Sequence, residues 1–266
     1  MRIARIIAES GETTLAVKKS DGTFVKAEGD ILAGTIAATQ TAVTPATWLA
    51  PVEPRMLFCI GRNYAEHAKE GGADLPEWPI VFAKNPAAAH GHLQPVRIPK
   101  VCEDEVDYEG ELAVVIGKTA KDVSEADALD YVAGYMCGND VSARVWQAVK
   151  GGSQWVRGKG FDTFAPMGPF LVTPDEVPDI QALDIRTLVD GEVVQHSNTR
   201  HMIFPIATLI SFLSQDTTLL PGTIILTGTP EGVGWFRQPR LTLKPGHVVR
   251  VEIEGIGALE NSFLAQ

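Results

Sequence analysis

Apolar residues along this chain recur mostly with a period of two or in short unbroken runs, which predicts strands, and few stretches carry helical spacing. Short β-like runs at 2–8, 14–17 and 23–27 are separated by turn signals at Ser10-Gly11 and Asp21-Gly22, and an Ala/Thr-rich stretch follows. Pro45, Pro51 and Pro54 then punctuate the way out, so residues 1–52 read as a small β-rich N-terminal domain and 53–266 as the larger one. An apolar strand over 55–60 ends at Gly61. A helical pattern over 62–70 has Asn63 as candidate cap and is stopped by Gly71-Gly72. The glycines, prolines and Trp78 of 71–79 suit a mobile cover.

Further along, 80–83 is a short strand leading to Lys84, and 85–99 is loop-like. A helix start at Ser124-Glu125 opens a predicted helix over 122–131, a strand follows over 132–138, and 141–148 reads as helical. The span 151–169 is dense in glycine and proline and predicts irregular loop. Asp190-Gly191 marks a hairpin, 202–213 is an amphipathic helix, and the chain closes in a β-ribbon over 243–263. The sum is an α+β chain, predominantly β.

The segment Val106–Gly117 breaks the ordinary pattern. On a strand Glu109 and Glu111 point the same way, Leu112, Val114 and Ile116 point the other way, and Ala113 and Val115 continue the carboxylate face. Both faces are therefore candidates for burial. Two adjacent buried carboxylates repel each other and lose hydration, which costs several kcal/mol unless a cation or a proton compensates. Either a metal ion sits there or the two glutamates are still in solvent at the strand's start.

Composition narrows the setting. With 266 residues the chain can bury a core without staples. Its cysteines, Cys59, Cys102 and Cys137, are odd in number and lack CxxC spacing, so they read as core thiols of a reducing compartment. No signal-peptide pattern opens the chain and no apolar run reaches membrane-spanning length, so a soluble, cytoplasmic protein is expected. A net charge of −10 argues against nucleic acid as partner. It leaves room for a small anionic substrate at a locally positive site.

Other candidates each have two readings. His67 and Glu70, three apart on a helix, form the carboxylate–imidazole pair a general base needs, or an accidental surface pair. Asp140 ends an apolar strand and is either an N-cap or a displayed carboxylate. In the second case Arg144 and Gln147 share its helical side. Lys159, between Gly158 and Gly160, either reaches a site or is an exposed loop lysine. His90 and His92 lack suitably spaced partners and read as solvated loop histidines. Thr227, Gly228 and Thr229 can offer hydroxyls and N–H groups to an anion, in a loop that is no Walker A.

Five stretches together resemble the fumarylacetoacetate hydrolase superfamily: Gly61-Arg-Asn-Tyr-Ala-Glu-His67, Asp107-Tyr-Glu-Gly-Glu111, Asn139-Asp-Val-Ser-Ala-Arg144 with Gln147, Lys159-Gly-Phe-Asp-Thr-Phe-Ala-Pro-Met-Gly-Pro169, and Leu226-Thr-Gly-Thr-Pro-Glu-Gly-Val-Gly234. They resemble most closely the acylpyruvase and oxaloacetate decarboxylase-like members, and the resemblance covers 55–263. It implies a mixed β-roll or β-sandwich with few helices, a homodimer, and a divalent metal on Glu109, Glu111 and Asp140. Three hard oxygen donors suit Mg²⁺, Mn²⁺ or Ca²⁺. The resemblance further implies catalytic roles for His67, Glu70 and Lys159, and substrate contacts from Arg62, Tyr64, Arg144, Gln147 and Thr229. It implies a 2-oxo or 2,4-dioxo acid substrate handled through a metal-stabilised enolate, in acylpyruvate cleavage, oxaloacetate decarboxylation or keto–enol tautomerisation. Hydration or decarboxylation of unsaturated 2-oxo acids, and metal binding without catalysis, are the alternatives. Many relatives carry an acidic residue after Ser-Ala-Arg, where this chain has Val145.

Overall fold

The computed structural model describes residues Met1–Gln266. Period-two patterning is realised in a 12-stranded sheet whose continuous path begins with four N-terminal strands. These are β1 (Arg2–Ala8), β2 (Thr13–Lys18), β3 (Phe24–Glu28) and β4 (Ala37–Ala42), and β5 (Pro45–Leu49) pairs with β1. The path runs from β4 to β1, then through Ala165–Val172, Val132–Asn139, Gly110–Ile116 and Thr223–Leu226. It ends on β6 (Met56–Gly61) and β7 (Ile80–Lys84). β1 joins the rest by pairing with Ala165–Val172. A five-stranded sheet packs alongside, containing Asp184–Val189, Glu192–Asn198, Val248–Ile253, Gly257–Ala265 and Val96–Ile98. The architecture is mostly β with mixed strand directions, since Thr223–Leu226 runs parallel to β6 while most neighbours are antiparallel.

Gly110–Ile116 lies at the centre, and all of its residues are buried. Leu112, Val114 and Ile116 pack into one apolar cluster with Ile185, Leu209 and Ile253, and Ala113 and Val115 into another with Leu57, Met136 and Leu226. Each valine, leucine, isoleucine or methionine among them contributes about 1.5–3 kcal/mol by leaving water. Both faces of the strand are thus interior, as its alternation predicts. The amphipathic stretch forms a helix over Ile206–Ser214 and buries Ile206, Leu209, Ile210 and Leu213. The Asp190-Gly191 turn closes its hairpin with both residues at positive φ, 51° and 85°, the geometry that matches strand twist. No helix is long and apolar enough to cross a membrane.

Tertiary interactions override four local patterns. Over 141–148 the expected helix starts late. Ser142–Ala143 pairs with Val106–Asp107 and Arg144 N donates to Glu105 O, so coiling begins only at Arg144 and continues as a π-type turn over Trp146–Lys150. Over 122–131 only Ala128–Tyr131 coils, as a 3₁₀ turn, because Asp122 N and Val123 N are drawn to Ser214 O and Oγ. The expected loop 151–169 contains a helical turn at Val156–Lys159 and the start of strand Ala165–Val172, stabilised by burial of Phe164, Ala165, Met167 and Leu171. Asn63 is not a cap. Its side chain accepts from Phe204 N and donates to Thr227 O, and Tyr64 precedes α1 (Ala65–Glu70).

Candidate active site

Strand register brings the acidic residues together. Gly110 and Glu111 face Asn139 and Gly138, Asp140 N donates to Glu109 O at 2.9 Å, and Glu109 N donates to Asn139 Oδ1 at 3.0 Å. One ligand oxygen from each of Glu109, Glu111 and Asp140 lies within 4.8 Å of the others, and all three residues are buried. Asp140 is therefore a displayed carboxylate, not an N-cap.

Cations meet this charge unevenly. Lys159 Nζ donates to Glu109 Oε2 at 2.6 Å and to Asp140 Oδ2 at 2.8 Å. Lys159 is only 1 % exposed, against the reading of a loop lysine. Arg144 Nη1 donates to Glu109 Oε1 at 2.6 Å, and to Gln147 Oε1 at 3.1 Å. Lys84, on β7, donates to Asp140 Oδ1 and to Val141 O. Burial alone raises the Glu109 carboxyl, but Lys159 and Arg144 outweigh it and hold it below the usual range. Glu111 accepts one bond, from Gly228 N at 2.8 Å. Burial, then repulsion from Asp140 and Glu109, push its carboxyl well above the usual value. Glu111 is the under-compensated member of the cluster, and a divalent cation would satisfy it. The residues fit an oxygen-ligated metal ion.

Beside the cluster, His67 Nδ1 lies 2.8 Å from Glu70 Oε1. With the carboxylate accepting from Nδ1–H, Nε2 is left with its lone pair free to take a proton. Glu70 Oε2 accepts from Gly232 N at 2.9 Å, which ties α1 to the loop after Thr223–Leu226. A cavity of about 240 Å³ opens above. Arg62, His67, Glu109, Arg144, Gln147, Lys159 and Thr229 supply its polar lining, and Phe82, Trp155, Trp235 and Phe236 its aromatic walls. Thr229 also accepts from Gln195 Nε2 and donates to Gly110 O.

The chain belongs to the fumarylacetoacetate hydrolase family. The profile described as fumarylacetoacetate (FAA) hydrolase C-terminal matches residues 56–264. The mitochondrial oxaloacetate tautomerase fahd2 of Xenopus laevis is 50% identical over 214 residues, covering 80% of this chain and 67% of that protein. A fumarylacetoacetate hydrolase domain-containing protein 2 homolog of Dictyostelium discoideum is 52% identical over 222 residues, covering 80% and 72%. Among solved structures, a 5-carboxymethyl-2-hydroxymuconate delta-isomerase of Mycobacterium smegmatis superposes with TM-score 0.86 at 37% identity and full coverage of both chains. The resemblance read from five sequence stretches therefore holds for the family.

Tyr64 stands apart from the other candidates. It does not line the cavity. It borders a separate surface hollow with Ser197, His201 and Glu231, and its buried hydroxyl has no partner. Burial, reinforced by Glu111 and Glu231, pushes its phenol well up. His90 Nε2 lies 3.0 Å from Pro95 O within its own loop, and His92 Nδ1 accepts from Glu260 N of the strand Gly257–Ala265, so both are held by the fold rather than solvated. Burial lowers His92 to about 4.

Three further residues do not announce themselves in the sequence. Lys84 looks like an ordinary strand end. Gln195 looks like one polar residue in a hairpin. Asp107, fully buried, accepts from Tyr108 N, Gly234 N, Trp235 N and Arg144 Nε, and Arg144 Nη2 lies 2.7 Å from its Oδ2. It joins the arginine that clamps Glu109 to the turn carrying Trp235 and Phe236. Of the three carboxylates in Asp-Tyr-Glu-Gly-Glu, the alternation draws attention to the second and third, because only a folded chain shows what Asp107 receives.

Proposed function

We propose that this protein is a divalent-metal-dependent enzyme of 2-oxo and 2,4-dioxo acids that works through an enolate, with keto–enol tautomerisation of oxaloacetate as its first reaction. The observation carrying this reading is the under-compensated carboxylate cluster placed beside a His67–Glu70 dyad and a buried Lys159. The relative named as an oxaloacetate tautomerase supports the choice of reaction. Mg²⁺ is the expected ion, held by Glu109, Glu111 and Asp140, and when bound it supplies electrostatic stabilisation to the developing enolate. His67 Nε2 takes a proton from C3 and the electron pair moves into the C2–C3 bond. Glu70 steadies the imidazolium through Nδ1–H. Negative charge developing on the 2-oxo oxygen is met by Lys159, whose ammonium is held charged, against burial, by Asp140 and Glu109. Return of the proton from His67 to that oxygen gives the enol.

The same dyad suits a second reading, cleavage of acylpyruvates, in which His67 activates water for attack at C4. The test is a panel of oxaloacetate, acylpyruvates and hydroxylated dienoates with Mg²⁺ or Mn²⁺, following enol formation, pyruvate release and isomerisation separately. His67→Asn should lower turnover by roughly 10²–10⁴-fold while calorimetric Mg²⁺ affinity persists. Unchanged turnover removes His67 from the mechanism. A panel with neither turnover nor binding removes the enzyme reading.

A further inference from the structure

The cavity's charges are nearly all spoken for. Glu109, Glu111 and Asp140 carry three negative charges, Lys84 and Lys159 carry two positive ones, and Arg144 balances Asp107. At this cluster, with Glu70 set apart behind the neutral His67, a divalent cation would leave a single net positive charge, which the carboxylate of one bound 2-oxo acid cancels. A second carboxylate on the substrate would find no countercharge at the cluster and would have to be met elsewhere.

Arg62 is where it can be met. Among the cations lining the cavity, Arg144 and Lys159 are bonded to carboxylates and His67 to Glu70, whereas Arg62 has no acidic partner. Its guanidinium lies over the Trp155 ring, 5.9 Å from the centroid, a contact that orients the group without neutralising it. Trp155 and Phe82, their rings 5.1 Å apart, form a wall of the same cavity. A half-buried arginine against such a wall interacts with an anion more strongly than it would in open water. The backbone marks the position independently. Arg62 has φ 54°, in the left-handed region that a non-glycine residue enters only against steric strain. Gly61 before it has no room for a side chain, since a Cβ there would lie 2.3 Å from the Trp155 ring. The chain accepts this strain and brings the Arg62 guanidinium onto the cavity's aromatic wall.

We infer that Arg62 is a specificity-determining residue that receives the distal carboxylate of the substrate, so that the site selects dicarboxylic over monocarboxylic 2-oxo acids. This rests on the proposed 2-oxo acid reading of the cluster. A planar guanidinium gives a carboxylate two parallel hydrogen bonds, which an ammonium cannot copy.

The experiment uses the Mg²⁺-loaded protein and matched ligand pairs that differ only in the distal group: oxaloacetate against 2-oxobutyrate, and 2-oxoglutarate against 2-oxovalerate. Oxalate serves as a probe of the metal end alone. Wild-type protein should bind the dicarboxylate of at least one pair tenfold or more tightly, by calorimetry or by competition with oxalate. Arg62→Met should bring that ratio below threefold while oxalate affinity stays within twofold, and Arg62→Lys should restore part of the ratio. A wild type that does not discriminate within either pair overturns the inference. So does an Arg62→Met variant that keeps the preference, or one that loses oxalate in equal measure. Failure of oxalate to bind the wild type would instead strike the 2-oxo acid reading beneath it.

Discussion

Replacing Lys84 with methionine isolates what holds Asp140 when no metal is present. Both side chains of the Lys84–Asp140 pair are 0% exposed, and the ammonium also donates to Val141 O at 3.0 Å. Methionine keeps most of the volume but leaves Asp140 with Lys159 alone, at 2.8 Å from Oδ2, and leaves Val141 O without that donor. Breaking a buried pair by removing one partner costs about 3–5 kcal/mol. Lys159 retains half of the compensation, which puts the expected loss near the lower end, about 3 kcal/mol. At roughly 2–4 °C per kcal/mol for chains of this size, the melting temperature in EDTA should fall by about 6–12 °C. Mg²⁺ should recover much of this, since saturation at a hundred times Kd contributes about 2.7 kcal/mol, and the ion no longer competes with the Lys84 charge. The Mg²⁺-induced rise should thus be larger in the variant than in the wild type. Lys84→Met combined with Asp140→Asn removes both charges and should be more stable than the single variant in EDTA. Scanning calorimetry of the three proteins with EDTA and with Mg²⁺ decides it. A Lys84→Met protein within about 0.5 kcal/mol of wild type in EDTA, where surface substitutions usually fall, would refute the reasoning.

Two other predictions concern the carboxylates. Because Glu111 is raised well above the ordinary value of 4.5, the metal-free protein keeps its proton where the unfolded chain has lost it. Metal-free stability should therefore decline as pH climbs from 4.5 toward the raised value, and Mg²⁺ affinity should rise across the same window as the ion displaces the proton. Titration in buffers of different ionisation enthalpy should show proton release, and Glu111→Gln should abolish it and weaken Mg²⁺ at least tenfold; a pH-independent affinity would contradict this. Asp107→Asn replaces an acceptor of several donors with a group that presents N–H to one of them. Losing charge-assisted bonds worth about 1.5–3 kcal/mol each should loosen Arg144 and the Trp235–Phe236 turn, seen as raised KM and lowered stability together. Wild-type values for both would show that Asp107 anchors neither.

The sequence by itself determined the strand-dominated class and the chemistry of the central segment. Alternation around Glu109–Ile116 fixes which side chains share a face, because a strand permits one arrangement, and placing charge on a buried face demands compensation whatever the rest of the chain does. The His67–Glu70 pair was legible for a similar reason, since i,i+3 positions on one helix meet locally. Tertiary structure decided everything that depends on partners far along the chain. On local pattern Asp140 read equally as a helix cap or a displayed carboxylate, and only the resemblance put it on a metal; pairing of the 132–139 strand beside Gly110–Ile116 set its carboxylate against Lys84 and Lys159. Lys159 read locally as either a site residue or an exposed loop lysine, and the burial of its segment, with Phe164 and Ala165 beside it in the interior, separates the two. Lys84 carried no local signal, since an ammonium at a strand end is ordinary and only the fold reveals that no water surrounds it. Tyr64 shows the converse: the family resemblance placed it among the substrate contacts, and in the fold it borders a different hollow. Local geometry follows from periodicity, whereas the charge balance of a buried site is a sum over residues that only the folded chain brings within reach of one another.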